Sequence, residues 1–205
     1  AVTARTLNNG QSCIAAKRFI VHTEVYDRFV EAFTAAMAAL TMGDPMDETV
    51  QVGPVATRSG RDELAELVDH ARARGAQILT GGEVPAGEGW FYPPTVVAEV
   101  RPGMRLHLEE AFGPVATVYR VADLDEALAI ANGTDFGLSS AAWTQDPEEQ
   151  RRFAEELEAG AVFLNGMTIS YPELPFGGIK NSGYGRELAA AGIREFCNLK
   201  TVWQA

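Results

Sequence analysis

Cys13 closes the run Asn8-Asn9-Gly10-Gln11-Ser12-Cys13 and is the residue best placed by type and setting for nucleophilic chemistry. A thiol with the usual pKa of about 8.5 is only a few per cent thiolate at neutral pH, so a working nucleophile needs backbone N–H groups or cations around it. Gly10 permits a tight bend that could aim amides at the sulfur, and Lys17 and Arg18 bring positive charge close in sequence. Taken by itself, a free cysteine reads more readily as a core residue, because Cys is among the most buried residue types. Other nucleophile partners are scarce. The three histidines, His22, His70 and His107, have no His or Cys three to five residues away. A Cys-His hydrolase would need His22, which is about 30 Å from Cys13 along an extended chain at roughly 3.3 Å per residue. Cys13 and Cys197 are too few and too far apart for a zinc knuckle or a disulfide scaffold, so no metal is expected and a reducing compartment is the default.

The elements that must hold Cys13 follow from periodicity. A helical start gives way through Gly10 to a strand at Phe19–Val21. Val25, Phe29, Phe33 and Met37 then recur every four residues behind Thr23 as N-cap candidate. Ser59 can cap a second helix with the stripe Leu64, Leu67, Val68 and Ala71, ending at Gly75. Ile78-Leu79, Thr95–Val100 and Val115–Val121 read as strands, with a turn-rich loop from Pro85 to Pro94. Asp123 and Glu126 form a capping box ahead of a short helix stopped by Asn132-Gly133. Ser139–Thr144 is strand-like. Asp146-Pro147-Glu148-Glu149 combines cap, N1 proline and acidic first turn, with Phe153 and Leu157 on the buried face. A strand at Val162–Leu164, a glycine-rich loop from Gly166 to Gly185 and a helix near Glu187–Glu195 complete the series. Such alternation predicts an α/β fold, a mostly parallel open sheet with flanking helices.

Length and charge limit the functional class. The chain of 205 residues is 46% hydrophobic and 22% charged, which suits one globular domain with a sizeable core. With 17 basic against 28 acidic residues the net charge is −11, a field that repels nucleic-acid phosphates and anionic membranes. The longest nearly apolar stretch, Ala32 to Met42, is short of the roughly 20 residues needed to span a bilayer, and no signal peptide opens the chain. A cytoplasmic protein is expected. No methionine precedes Met37, so the chain is expected to be a piece of something longer.

Four blocks in order resemble the aldehyde dehydrogenase superfamily over nearly the whole chain. Asn-x-Gly-Gln-x-Cys before Arg18 resembles its catalytic cysteine segment, and Glu109-Glu110-Ala111-Phe112-Gly113-Pro114-Val115 its Glu-x-Phe-Gly-Pro block. The run Pro175-Phe176-Gly177-Gly178-Ile179-Lys180-Asn181-Ser182-Gly183-Tyr184-Gly185-Arg186-Glu187 is similar to a third block, and Lys200-Thr201-Val202 to the closing strand. Lys17–Val21 and the segment from Phe196 to Trp203 look most like bacterial succinate-semialdehyde dehydrogenases, although Leu7 stands where some of those enzymes carry a substrate-binding arginine.

The resemblance implies a catalytic-domain fold over residues 1–195, an oligomerisation strand over 196–205 and an N-terminal cofactor-binding domain that is absent from this chain. It makes Cys13 the nucleophile that forms a thiohemiacetal and then a thioester, with its backbone N–H as half of the oxyanion hole. Glu110 would hold cofactor ribose hydroxyls, since a carboxylate accepts two hydrogen bonds from a diol; Phe112 and Leu138 would lie near the nicotinamide of NAD or NADP. Ser170 and Phe176, in the loop around Thr168–Tyr171, would belong to the aldehyde pocket. Read without the family, Glu110 is a solvated charge, Phe112 and Leu138 are core, and Ser170 is a hydroxyl satisfying nearby backbone. Arg186 and Glu187 read as a structural ion pair or helix-start contacts. The deacylating base and the side-chain half of the oxyanion hole would lie outside these residues, so the chain alone is expected to be inactive. The competing expectation is a non-enzymatic binding or oligomerisation module. The Asn198–Trp203 alternation, with no partner strand after it, favours a homo-oligomer.

Overall fold

A computed structural model describes all 205 residues. The chain forms two compact units, Ala1–Ala131 and Asn132–Ala205.

The first unit opens with helix α1 (Val2–Thr6) and a 3₁₀ turn over Leu7–Gly10, then strand β1 (Arg18–His22) and helix α2 (Thr23–Ala38). Helix α3 (Arg58–Ala73), strands β2 (Gln77–Thr80) and β3 (Thr95–Ala98), the short helix α4 (Arg105–Leu108), strand β4 (Val115–Val121) and helix α5 (Leu124–Asn132) follow. The sheet order is β1-β4-β3-β2. β4 pairs in parallel with both β1 and β3, while β2 returns antiparallel on β3. The sheet is therefore mixed. The reason is local: the Pro85–Pro94 loop joins β2 to β3 without a crossover helix, and a direct return can only give an antiparallel pair.

Two-residue alternation assigns the faces of this sheet. Val97, Val115 and Tyr119 meet Leu64, Leu67, Val68 and Ala71 of α3, whereas Val96, Ala116 and Val118 meet Phe33 and Met37 of α2. The α3 stripe is buried as its spacing predicts. The caps lie elsewhere than expected. α2 is capped by His22, whose Nδ1 accepts from Glu24 N–H at 3.4 Å, and α3 by Thr57, whose hydroxyl accepts from Gly60 N–H at 3.0 Å. In each case the preceding residue is the one in extended backbone that can present its acceptor to the first turn. The Asp123–Glu126 box forms with one change, since Glu126 reaches back to Ala122 N–H and not to Asp123.

The second unit contains β5 (Phe136–Gly137), β6 (Ser139–Ala142), α6 (Pro147–Glu156), β7 (Ala161–Leu164), β8 (Ile179–Lys180) and α7 (Ala189–Glu195). β6 and β7 pair in parallel through α6, and β5 pairs antiparallel with β8. Asp146 accepts from the N–H groups of Glu148 and Glu149 and so starts α6 where the sequence places it. Phe153 and Leu157 are only half-buried, and no residue of α6 is fully buried. Arg186 makes no ion pair with Glu187; its guanidinium donates to Gly178 O and Gly185 O, while Glu187 pairs its backbone with Phe176. Gly160 is dictated by close approach, because a Cβ there would lie 1.7 Å from Gly177 O. Residues 198–205 have no regular secondary structure, so the expected closing strand is not formed in the single chain.

Asp146→Ala should lower the stability of the second unit by about 1 kcal/mol, the usual worth of such a cap, read as a loss in urea midpoint. In the first unit, burial holds the His107 imidazole below the ordinary histidine range, and desolvation with Arg74 and Arg105 does the same for His70. The unfolded chain then takes up these protons first. Stability present above about pH 6.5 should fall as the pH drops below it, and replacing both residues by Gln should flatten the urea midpoint between about pH 7.5 and pH 5.5.

Candidate active site

The turn that carries Cys13 is built from unusual backbone. Asn8 and Asn9 sit at φ 51° and 57°, the left-handed region that asparagine tolerates better than most residues, and Gly10 follows at φ 76°. A Cβ on Gly10 would lie 2.2 Å from Gly113 O, so glycine is required both by conformation and by contact. Side chains then tie the turn down. Asn9 Oδ1 accepts from Gly53 N–H at 3.0 Å, Asn9 Nδ2 donates to Pro54 O at 3.3 Å, and Gln11 Oε1 accepts from Ala56 N–H at 2.8 Å. Cys13 emerges from this frame exposed and free, against the reading of a core thiol.

Two cations hold the turn from inside. Arg5 is fully buried, donates to Gly10 O at 2.7 Å and to Val115 O at 3.3 Å, and so fastens the turn to the start of β4. Burial pushes its guanidinium down to about 10, partly opposed by the Glu110 charge. Lys17, with 19% of its side chain exposed, donates to the carbonyls of Ser12, Cys13 and Ala15 at 3.0–3.1 Å and pairs with Glu110 Oε1 at 2.9 Å. Burial lowers the Lys17 ammonium pKa, and the hydrogen bond and charge of Glu110 oppose that shift. Of the two cations the sequence places near Cys13, Lys17 is there and Arg18 is not. Arg18 donates to Ile130 O and Ala131 O at 2.8 and 2.7 Å, satisfying carbonyls at the end of α5. Arg5 was not legible as a site residue. Its one signal is a lone arginine among the small residues of α1.

Glu110 and Phe112 follow α4 in an irregular segment leading into β4. Glu109 is occupied by a two-point pair with Arg105 at 2.8 Å, whereas the contacts of Glu110 are confined to Oε1, leaving Oε2 open. The Phe112 ring is 47% exposed and lies 5.8 Å from Lys17 Nζ, which excludes the core reading. The structure thus brings Cys13, Glu110 and Phe112 together around Lys17. An open carboxylate oxygen and an uncovered aromatic face suit a ribose diol and a flat ring.

The remaining predicted residues belong to the second unit. Leu138 is half-buried between β5 and β6, and its carbonyl accepts from Ala161 N–H at 3.2 Å. Ser170 is exposed and its hydroxyl bonds to no backbone group, contrary to the reading of a self-satisfied loop hydroxyl. Phe176 is half-buried and lines, with Val162, Phe163, Ile169 and Tyr171, an apolar hollow of about 390 Å³. The histidines have structural work: His22 bonds Ala122 O at 2.8 Å, His70 accepts from Arg105 N–H, and His107 meets the Tyr119 hydroxyl.

The aldehyde dehydrogenase family model matches residues 1–202. The chain belongs to the aldehyde dehydrogenase family. It is 66% identical over 203 residues to succinate-semialdehyde dehydrogenase [NADP(+)] 1 of Mycobacterium ulcerans, covering 99% of this chain and 44% of that protein. Against the protein of the same name from Mycobacterium tuberculosis strain H37Rv it is 62% identical, covering 100% and 45%. Among solved structures, succinic semialdehyde dehydrogenase from Streptococcus pyogenes in complex with NADP+ superposes with a TM-score of 0.93 at 36% identity, covering 98% of this chain and 44% of that one. Lactaldehyde dehydrogenase from Escherichia coli gives 0.92 at 32% identity, covering 95% and 41%. The chain spans less than half the length of these relatives. No helix is long and apolar enough to cross a membrane.

Gly10→Ala should cost on the order of 3 kcal/mol, from left-handed strain plus the collision with Gly113. Urea unfolding followed by tryptophan fluorescence checks it; a loss below about 0.5 kcal/mol would show that the turn relaxes freely.

Proposed function

We propose that the chain is the cysteine-bearing half of an NADP-dependent succinate-semialdehyde dehydrogenase. The observation that carries this reading is the exposed Cys13 on a braced turn beside Glu110 and Phe112, together with the names of the two mycobacterial relatives reported above. In this reading the Cys13 thiolate attacks the aldehyde carbon, a C–S bond forms, and the Cys13 N–H stabilises the charge that moves onto oxygen. Glu110 would hold ribose hydroxyls through Oε2 and Phe112 would take the nicotinamide; in the second unit, Leu138 is the residue that the family resemblance assigns to that ring. The chemistry a nicotinamide supplies at such a site is two-electron oxidation of the thiohemiacetal to a thioester. Phe176 packs on the aliphatic part of the substrate, and the unpartnered Ser170 hydroxyl donates to its carboxylate. The cytoplasm is the matching compartment for a chain with two free thiols.

A role in self-association is supported by a different observation. Phe196, Leu199, Val202 and Trp203 are all more than four-fifths exposed, an apolar tail with nothing packed on it. A homo-oligomer joined through residues 196–205 would cover it.

Fusing this chain in place of the matching half of the Mycobacterium tuberculosis relative should give an enzyme that oxidises succinate semialdehyde with NADP+. Cys13→Ala should lower its kcat by a factor of about 10³ or more, while the 205-residue chain alone forms no NADPH. A folded fusion without turnover, or one indifferent to Cys13→Ala, would contradict the assignment. In sedimentation velocity, deleting residues 198–205 should reduce the assembly to monomer; an unchanged distribution would remove the tail from the interface.

A further inference from the structure

The Ser12–Cys13 peptide is fixed from its carbonyl side. Ser12 O accepts from Lys17 Nζ at 3.1 Å and from Ala15 N–H at 3.0 Å, which uses both of its lone pairs. A planar trans peptide points its N–H opposite to its C=O, and the chain has no cis peptide bond. The Cys13 N–H therefore faces away from Lys17, and it donates to no group of the chain. The next peptide is held the same way, since Cys13 O accepts from Lys17 Nζ at 3.1 Å. One ammonium thus clamps both peptide planes that flank the Cα bearing the sulfur. Its fourth contact is Glu110 Oε1 at 2.9 Å.

We propose that Lys17 is a positioning residue for the Cys13 nucleophile: by holding the Ser12 and Cys13 carbonyls it keeps the Cys13 N–H turned out as an oxyanion donor, and its ion pair with Glu110 links that pose to the carboxylate that takes the cofactor ribose. The inference rests on the reading of Cys13 as a nucleophile toward carbonyl carbon. Lys17 itself touches no reacting atom. Its three N–H donors are spent on backbone carbonyls and a carboxylate, so its effect on the reaction passes through the peptide geometry. Preorganised backbone donors of this kind are worth most when they need not reorient as charge develops.

Two reagents separate donor geometry from thiolate reactivity. p-Nitrophenyl acetate acylates the sulfur: a C–S bond forms through an oxyanion, the ester C–O bond breaks, p-nitrophenolate leaves with the electron pair, and the thiol proton goes to solvent. Iodoacetamide forms a C–S bond as iodide leaves, with no oxyanion. Both rates are measured on the 205-residue chain carrying Cys197→Ser, so that only Cys13 reacts. Lys17→Met should lower the acylation-to-alkylation ratio by about 10-fold or more, and Lys17→Arg should recover most of it. A ratio within about twofold of the parent chain would overturn the role of Lys17. If Lys17→Met loses the native circular dichroism spectrum, the double variant Lys17→Met/Glu110→Leu removes the stranded carboxylate too, and the same fall or constancy of the ratio decides. A parent chain that alkylates but is never acylated would instead overturn the nucleophile reading beneath the proposal.

Discussion

A single ammonium, Lys17 Nζ, joins the backbone of the cysteine turn to the carboxylate of Glu110, and the local order of the site depends on that junction. The turn alone is poorly determined. It runs through three consecutive left-handed residues, a conformation that costs free energy and persists only when its surroundings fix it. Arg5 fixes it to β4 through Gly10 O and Val115 O, Asn9 and Gln11 fix it to the Gly53–Ala56 loop, and Lys17 closes the remaining side against Glu110. Burying two cations beside one carboxylate is expensive, and the cost falls on their ionisation: both are held below their ordinary values by desolvation, with Glu110 acting against it. The arrangement is tolerable because both terminal nitrogens of Arg5 and the Lys17 ammonium each find an oxygen. Of the nitrogens of these two side chains, Arg5 Nε alone has no partner.

The sheet supplies the rigid side of this junction. β4 is buried along all of its length except Arg120, is paired on both edges, and is covered by α2 on one face and α3 on the other. Its first residue, Val115, receives Arg5, and the residues just before it carry Gly113, Phe112 and Glu110. Glu110 and Phe112 therefore enter the site from the best-anchored strand of the unit, while Cys13 enters from a turn of three left-handed residues. Strain and anchor meet where Gly10 packs against Gly113.

Elements whose signal is local were legible. The Asp146 cap, the α3 stripe and the limits of β4 depend on neighbours in sequence, and the structure places them as read. The caps of α2 and α3 slipped to His22 and Thr57, because several nearby residues can accept a hydrogen bond and only the backbone path decides which one does. Long-range partners were not legible. Arg5 and Arg18 look alike as isolated cations, yet one is buried under the cysteine turn and the other caps α5, more than one hundred residues away. β4 pairs in parallel with both of its neighbours, as the alternation of elements predicts; only the antiparallel return of β2 was not legible, since strand direction follows from what the connecting loop allows and not from strand composition. Cys13, Glu110 and Phe112, which lie together around Lys17, are legible only through motif resemblance; their common contact with Lys17 needed coordinates.

The junction is tested most directly by a double-mutant cycle on unfolding free energy with Lys17→Met, Glu110→Leu and the pair of them. If the ammonium and the carboxylate act as one unit, the double variant should be more stable than the sum of the single losses predicts, by at least about 0.5 kcal/mol. Losses that add within about 0.3 kcal/mol would show that the two side chains stabilise the chain independently, and that the cysteine turn is held without them.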